Sequence, residues 1–295
     1  MKIAIFSRPK GARATSDLKL IFEQIASRGY DYCVNEEFVP SLEELLGVKI
    51  SPDKIYGAEV PFAEDLSAQN EVMLCYGGDG TLLEGVHRLN GRKVIVVGVN
   101  SGRLGFLTCV SSEGIVELFE AIDSHSLRVE KRALIAARGD FSGGEWLFAA
   151  NEFSVQRQGA SIIVTETYLD EEMVATYRGD GAIVATPTGS TAYSLSAGGP
   201  VVAPECGCWV ISPLAPHNIT MRPVVVPDRC KIEMKIEMRE GDAAISLDNR
   251  TFPIGNGAKV ELKRYEKDFY LGLDPKISFY QTLRNKMLWG ADLRD

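Results

Sequence analysis

Up to about residue 126, the chain alternates short apolar runs with amphipathic segments, and this alternation restricts the fold more than any other feature. The runs Ile3–Phe6, Val72–Tyr76 and Val94–Val99 have the composition of buried strands. Each is followed by a segment whose apolar residues recur at helical spacing: Leu18, Ile21, Phe22 and Ile25; Leu82, Leu83, Val86 and Leu89; Ile115, Leu118, Phe119 and Ile122. Strand–helix alternation predicts a parallel sheet covered by helices.

Two finer predictions apply to this first part. Ser111 or Ser112 precedes the third helical segment and is expected to cap it, because a serine hydroxyl can accept a hydrogen bond from a free N–H of the first turn. The stretch 51–70 is polar and contains proline, which predicts a mobile loop.

From about residue 127 the pattern changes to that of antiparallel strands. Ile232, Met234, Ile236 and Met238 alternate strictly with charged residues, so the strand has one apolar face that needs a partner sheet or a second subunit. We expect an α/β domain with a parallel sheet over residues 1–126, joined by a partly helical tail at 275–295. A β-rich domain is expected over residues 127–274.

Composition narrows the class of protein. The 295 residues are 45% hydrophobic, which excludes a disordered chain or a small disulfide scaffold. With 32 basic and 40 acidic residues the net charge is −8, which argues against nucleic acid or an anionic membrane as a partner. No apolar leader or run of 18 apolar residues is evident, so a cytoplasmic location is expected. Most of the six cysteines are expected to be buried thiols, and no metal site built from side chains is predicted.

The segment Tyr76-Gly77-Gly78-Asp79-Gly80-Thr81 follows a strand and precedes a helix. Its glycines permit close backbone approach, and the helix directs free N–H groups into the turn, which suits a phosphate. Asp79 is unusual there, because a carboxylate repels phosphate unless a metal or a proton transfer is involved. The alternative is that Asp79 is only an N-cap and the glycines only form a tight turn.

Three further segments carry polar groups that could bind a nucleotide. The glycine-rich stretch 100–108 follows a strand, where ligands of open α/β sheets bind. Asn151-Glu152 pairs an amide with a carboxylate, which can bind the hydroxyls of a sugar. Seven of the twelve residues 186–197 are Ser, Thr or Tyr, so the backbone can approach a planar ring and hydroxyls can bind it. The alternatives are an ordinary loop, exposed turn residues and a polar surface loop, respectively.

In their order along the chain, these segments resemble the NAD kinase family. The resemblance includes Gly77–Thr81, Leu104–Thr108, Asn151-Glu152, Asp180-Gly181, Thr186–Ser196, Pro216–Asn218 and Arg222-Pro223. It covers about residues 72–227 strongly and both ends more weakly. The Gly-Gly-Asp-Gly-Thr turn also occurs in phosphofructokinases and in diacylglycerol and sphingosine kinases. The Thr-Pro-Thr-Gly-Ser-Thr-Ala-Tyr segment distinguishes NAD kinases.

The resemblance implies an enzyme that phosphorylates the 2′-hydroxyl of the adenosine ribose of NAD, with ATP or sometimes polyphosphate as donor. It further implies a divalent metal, of which magnesium is expected, a two-domain fold with the site in the cleft between the domains, and a homodimer or homotetramer. Asp79 is expected to be the general base. The implied phosphate-binding residues are Gly77, Gly78, Gly80 and Thr81.

The implied NAD-binding residues span the same motifs. The ribose 2′-hydroxyl is expected at Asp79, with Gly80 against NAD, and the adenine is expected beside Phe106. The sugar and base of the nucleotide are expected to bind Asn151 and Glu152. Thr191, Ala192, Tyr193 and Ser196 resemble the adenosine pocket, and Asp180 and Ala215 the nicotinamide side. Arg178 stands where some members have a basic residue near the cofactor, and Arg250 stands where bacterial members often have glutamine or another polar residue. A lipid kinase of the diacylglycerol kinase type and a non-catalytic NAD sensor are the alternatives.

Overall fold

The structure is a computed structural model that describes residues 1–8, 15–62, 70–102, 105–108 and 110–290. None of the helices in these ranges has the length and hydropathy needed to cross a membrane. The chain divides into two compact units. One contains residues 1–131 and the segment that begins at Phe269, and the other contains Arg132–Asp268.

The helices and strands are labelled in chain order. The helices are α1 (Thr15–Ser27), α2 (Val39–Leu46), α3 (Asp79–Leu89), α4 (Ile115–Asp123), α5 (Tyr193–Ser196) and α6 (Phe279–Met287). The first strands are β1 (Lys2–Phe6), β2 (Asp31–Asn35), β3 (Ile55–Tyr56), β4 (Glu71–Tyr76), β5 (Ile95–Val99), β6 (Arg128–Gly139), β7 (Leu147–Ala149) and β8 (Glu152–Gln158). The later strands are β9 (Ile163–Leu169), β10 (Glu172–Gly179), β11 (Gly181–Ala185), β12 (Cys208–Leu214), β13 (Val224–Pro227), β14 (Ile232–Met238), β15 (Asp242–Leu247), β16 (Arg250–Ile254) and β17 (Ala258–Leu273).

The first unit contains the predicted parallel sheet. Its strands lie in the order β3-β2-β1-β4-β5, and residues 270–272 of β17 pair in parallel with β5. The order therefore reverses between β1 and β4, at the position where open α/β sheets bind ligands. Successive residues of β4 face opposite sides of the sheet. Leu74 packs on one side in a core with residues of α1 and α4, and Met73 and Cys75 lie on the other side against Gly85 of α3, so helices cover both faces.

Two local predictions for this unit are wrong. Ser111 precedes a short 3₁₀ turn, Ser112–Gly114, without a side-chain capping bond, and the Ser112 hydroxyl instead donates to Asp17 Oδ2 at 2.8 Å. The stretch 51–70 is not all loop, because β3 pairs in parallel with β2 and its Tyr56 is buried. Residues 63–69 of that stretch lie outside the described ranges.

The second unit is built from two antiparallel arrangements of strands. One is a six-stranded sheet in the order β13-β12-β11-β8-β15-β16. In the other, β14 lies between β9 and the first part of β17, and β10 pairs with β9. The apolar face of β14, with Ile232, Met234, Ile236 and Met238, packs in one core with Phe153 and Trp209. The partner predicted for that face is therefore a sheet of the same chain.

The cysteines only partly match their prediction. Cys33 and Cys75 are buried, but Cys206 is exposed and Cys208 and Cys230 are partly exposed. All five are free thiols. Cys109 lies outside the described residues.

Candidate active site

Three neighbouring strands of the first unit end at one edge of the sheet, and their following residues meet there. β1 leads to Arg8, β4 leads to Gly77–Thr81, and β5 leads to the segment 100–108. Arg103 and Leu104 of that segment lie outside the described residues. The carboxyl ends of parallel strands lie at one edge of a sheet, so the strand order brings the three segments that follow β1, β4 and β5 together.

Gly77 and Gly78 form the turn that starts α3. Gly77 has φ 154°, and a Cβ at residue 77 would lie 2.5 Å from Thr81 Oγ1, so a side chain has no room there. Gly78 is the N-cap residue, and Asp79 is the first residue of the helix. The N–H groups of this first turn have no acceptor within the helix, and they carry the positive end of its dipole.

Asp79 is not a helix cap, because its carboxylate points to the loop after β5. Its Oδ2 accepts a hydrogen bond from the N–H of Phe106 at 2.8 Å. Its Oδ1 accepts from the N–H groups of Leu107 at 3.1 Å and Thr108 at 2.9 Å, and from the Thr108 hydroxyl at 2.9 Å. The alternative of a simple N-cap is therefore wrong, and Asp79 joins the two predicted motifs of this unit.

Two neighbours shape the surroundings of Asp79. A Cβ at Gly105 would lie 1.7 Å from Asp79 Oδ1, so only glycine fits at residue 105. The ring of Phe106, expected beside the adenine, has Lys286 Nζ 4.9 Å from its centre. This contact places α6 against the loop that holds Asp79.

Arg8 is a cation at this edge that the sequence analysis did not identify. Its Nε donates to Glu84 Oε2 at 2.9 Å, and its Nη2 donates to the carbonyl of Gly80 at 3.0 Å. The Arg8 side chain is 42% exposed, and a guanidinium has five N–H donors in total. Its position directly after a strand was the only sequence signal available.

The second unit brings Asn151 and Glu152 together with the Thr186–Ser196 segment. The Thr186 hydroxyl donates to the carbonyl of Ala150 at 2.6 Å, and the Thr186 N–H donates to that of Asn151 at 2.8 Å. A Cβ at Gly189 would lie 2.1 Å from the Asn151 oxygen. Asn151 is buried, so the alternative of exposed turn residues is wrong for it.

The predicted adenosine segment is mostly inside the unit. Thr186, Thr188, Ser190 and Ser194 are buried, so the alternative of a polar surface loop is wrong. Thr191 and Ala192 are partly exposed, and Ser196 and Tyr193 are exposed. The Tyr193 hydroxyl donates to Gln156 Oε1 at 3.2 Å.

Glu152 has an unusual electrostatic environment. Its pKa is raised to about 8, chiefly by burial and to a lesser extent by the Asp248 carboxylate, while a hydrogen bond from the Tyr193 N–H acts in the opposite direction. Among the described residues, the buried Oε2 of Glu152 has no hydrogen-bond partner. A buried polar atom of this kind suits a ligand that brings its own hydrogen-bonding group.

The remaining predicted residues lie elsewhere in the second unit. Asp180 Oδ1 accepts from Arg157 Nε at 2.6 Å, and its N–H donates to the carbonyl of Leu214, next to Ala215. Ala215 is exposed with φ 40°, a conformation that L-residues rarely adopt. Arg178 is exposed. Arg250 donates to the carbonyl of Phe148, and burial lowers its pKa.

Asp248 is the second residue that the sequence analysis did not identify. Its carboxylate accepts from the N–H groups of Ala150, Asn151 and Glu152, so it fixes the backbone of the Asn-Glu motif. In sequence it is 96 to 98 residues from these partners, and an Asp-Asn pair after a strand signals only a turn.

Comparisons with known proteins match both parts of the chain. The sequence model of the ATP-NAD kinase N-terminal domain matches residues 3–126, and that of the C-terminal domain matches residues 150–270. The NAD kinase of Flavobacterium johnsoniae is 36% identical over 299 residues, covering 100% of both chains. The NAD kinase of Cytophaga hutchinsonii is 40% identical over 227 residues, covering 76% of this chain and 78% of that one.

Solved structures show the same fold. A yeast NADH kinase complexed with NADH superposes with a TM-score of 0.80 at 22% identity, over 99% of this chain and 88% of that one. An NAD kinase from Archaeoglobus fulgidus in complex with ATP gives a TM-score of 0.74 at 26% identity, over 98% and 99% of the two chains. With full-length relatives above 30% identity and both domain models matched, the chain belongs to the ATP-NAD kinase family, whose members are phosphotransferases.

Proposed function

We propose that this protein transfers the γ-phosphoryl group of ATP to the 2′-hydroxyl of the adenosine ribose of NAD, which gives NADP. The observation that carries the proposal is the carboxylate of Asp79 at the N-terminus of α3, inside a glycine turn suited to phosphate. Membership of the ATP-NAD kinase family supports the choice of substrates.

Asp79 can act as the general base because one of its oxygens is less engaged than the other. Oδ1 accepts three hydrogen bonds, from Leu107 and Thr108, whereas Oδ2 accepts one, from Phe106. A carboxylate oxygen has two lone pairs in its plane, so Oδ2 retains one that can take the ribose proton. The 2′-oxygen then forms its bond to the γ-phosphorus as the bond to ADP breaks. A general base typically contributes a factor of about 10²–10⁴.

The donor phosphates are expected at the turn Gly77–Thr81. The free N–H groups of α3 and the guanidinium of Arg8 offer positive charge there, which offsets the negative charge of Asp79. Within the part of the chain that the structure describes, two N–H donors of Arg8 are engaged, by Glu84 and Gly80, and the guanidinium has others that a phosphate oxygen could accept from.

A divalent metal fits this site if the donor phosphates supply most of its ligands. In the described part of the chain, no group of three or more His, Cys, Asp or Glu side chains could hold an ion alone. Magnesium in kinases usually depends on substrate phosphates, waters and few carboxylates, which agrees with such a donor set. When bound, it neutralises charge on the transferring phosphoryl group.

The acceptor is expected among Asn151, Glu152 and the segment that contains Tyr193. The buried Oε2 of Glu152, which has no hydrogen-bond partner within the described ranges, supports a ligand with a hydrogen-bonding group there. Asp180, Ala215, Arg178, Ser196 and Arg250 stay predictions for the rest of NAD. A homodimer or homotetramer, and a cytoplasmic location, are also predictions, and light scattering tests the former.

The test is an assay of purified protein with ATP, magnesium and NAD, in which NADP is detected with an NADP-specific dehydrogenase. NAD that lacks the ribose 2′-hydroxyl is the matched control and should accept no phosphate. Removal of magnesium with a chelator should stop the reaction, and its addition should restore it. Absence of NADP with either ATP or polyphosphate as donor would contradict the proposal and favour an NAD sensor.

A further inference from the structure

The turn between β15 and β16 contains Asp248, which both accepts hydrogen bonds from the Asn-Glu motif and donates one to it. Asp248 Oδ2 accepts from the N–H of Ala150 at 2.8 Å, and its Oδ1 accepts from those of Asn151 at 2.7 Å and Glu152 at 3.3 Å. The N–H of Asp248 donates to the carbonyl of Glu152 at 3.0 Å. Four hydrogen bonds therefore fix one short segment against one residue.

This contact requires an unusual backbone conformation. Asp248 has φ 53°, in the left-handed region that aspartate and asparagine tolerate better than most residues. The three consecutive N–H groups point to one place, and a carboxylate is the side chain that can accept from all of them. If these part-buried N–H groups lost their acceptor, the segment 150–152 would leave this geometry to satisfy them elsewhere.

The opposite side of the same segment is held by the predicted adenosine segment. The Thr186 hydroxyl donates to the Ala150 carbonyl, and the backbone of Gly189 lies against the Asn151 carbonyl. Since the backbone is fixed from two sides, the positions of the Asn151 and Glu152 side chains depend on both supports.

We propose that Asp248 is a positioning residue for NAD, which holds Asn151 and Glu152 in their binding geometry and is needed for NAD affinity more than for ATP binding or turnover. The inference rests on the proposed function, because it takes Asn151 and Glu152 as nucleotide ligands. In this role Asp248 acts through the backbone of residues 150–152 and needs no contact of its own with NAD.

The first test is the Asp248→Asn variant, which keeps the size of the side chain and its tolerance of positive φ. One acceptor oxygen becomes an NH₂ group that faces backbone N–H groups, so at least one hydrogen bond is lost. A cost of about 1–3 kcal/mol predicts that the KM and Kd for NAD rise about 5- to 150-fold. The KM for ATP and the kcat at saturating NAD should stay near their wild-type values.

Asp170→Asn is the matched control. Asp170 also has a positive φ, 46°, and lies in a turn, where its Oδ1 accepts from the Lys231 N–H at 2.9 Å. Its hydrogen bonds to the main chain in the described ranges are with Lys231, which is not a residue of the proposed site, so its variant should bind NAD normally. Thr186→Val provides a second test if Asp248→Asn does not fold, because it weakens the other support and should also raise the Kd for NAD selectively.

The outcomes separate this inference from the proposed function. An unchanged Kd for NAD in a folded Asp248→Asn variant, or an equal rise in the KM for NAD and ATP, overturns the positioning role. If the wild-type protein binds NAD but makes no NADP, the proposed function fails, and the Kd of the variants still decides the inference. A wild-type protein that does not bind NAD overturns both.

Discussion

Asp79 in the first unit and Asp248 in the second unit perform the same backbone task. Each accepts hydrogen bonds from three consecutive N–H groups of a distant loop, residues 106–108 in one case and 150–152 in the other. Such runs of N–H groups attract anions. In both units a carboxylate of the chain itself occupies that place and orders a predicted binding loop.

The surroundings of the two carboxylates differ in charge. Asp79 lies at the positive end of α3, and the side chain of Arg8 contacts the next residue of the helix. Asp248 instead lies near Glu152, another acid, and its charge contributes to the raised pKa of Glu152. The first environment places positive charge near the carboxylate, whereas the second places two acids side by side and favours one proton held by Glu152. The same hydrogen-bonding device is therefore compatible with two different chemical roles.

The largest expected effect comes from replacing the first carboxylate. Asp79→Asn should lower the kcat by about 10²-fold or more, because an amide cannot take the ribose proton. The Kd for NAD should rise by a much smaller factor than the kcat falls, because the amide keeps one acceptor oxygen for the N–H groups of residues 106–108, and the two quantities should be measured separately. If the variant retains more than about a tenth of the wild-type kcat, Asp79 is not the base.

The second effect concerns the acid beside Asp248. The pKa of Glu152, about 8, is above its ordinary value of 4.5, so the folded state binds more protons than the unfolded state between these values. The stability should therefore fall as the pH rises through this window, by about 1.4 kcal/mol per unit at most, or roughly 2 kcal/mol between pH 6 and 8.

Glu152→Gln, which stays neutral, should remove this loss. Urea unfolding of both proteins at pH 5, 6.5 and 8 measures the difference, with the exposed Glu205 changed to Gln as the control. Parallel pH profiles for wild type and Glu152→Gln would show that Glu152 is not held neutral by its surroundings.

The smallest effect concerns a hydrogen bond to Asp79 that comes from a side chain rather than from the backbone. The hydrogen bonds of Asp79 to the loop 106–108 include one from a side-chain hydroxyl, that of Thr108, which also accepts from Asn100 Nδ2 at 2.9 Å. Thr108→Val keeps the three N–H bonds and the carboxylate, so the kcat should fall less than about tenfold, the equivalent of 1.4 kcal/mol. A loss as large as that of Asp79→Asn would indicate that the geometry of the loop, rather than proton transfer, limits the reaction.

The sequence predicted the elements that depend on local periodicity and missed contacts between distant residues. The helical spacing of Leu18, Ile21 and Ile25 corresponds to α1, and the strict alternation over Ile232–Met238 corresponds to β14. The cap at Ser112 failed because its hydroxyl finds Asp17, 95 residues away. Local pattern cannot reveal a partner brought near only by the tertiary fold.

The candidate site shows the same division. The glycine turn at Gly77 was predictable because it needs a positive φ and a strand before it. The bonds of Asp79 to the loop after β5 follow from the strand order, which periodicity does not give. Asp248 was missed for the same reason, since the turn that holds it is near Asn151 only in the folded sheet.

The pairing of residues 270–272 with β5 has a consequence for the order of events during synthesis. The second unit is continuous, Arg132–Asp268, and residues 270–272 follow it directly within β17, so a ribosome delivers them only after the second unit. Until then the edge of β5 at Ile95–Val97 is uncovered, and an exposed strand edge is prone to pair with other chains. The sheet of the first unit therefore cannot gain its last strand until the second unit has been synthesised.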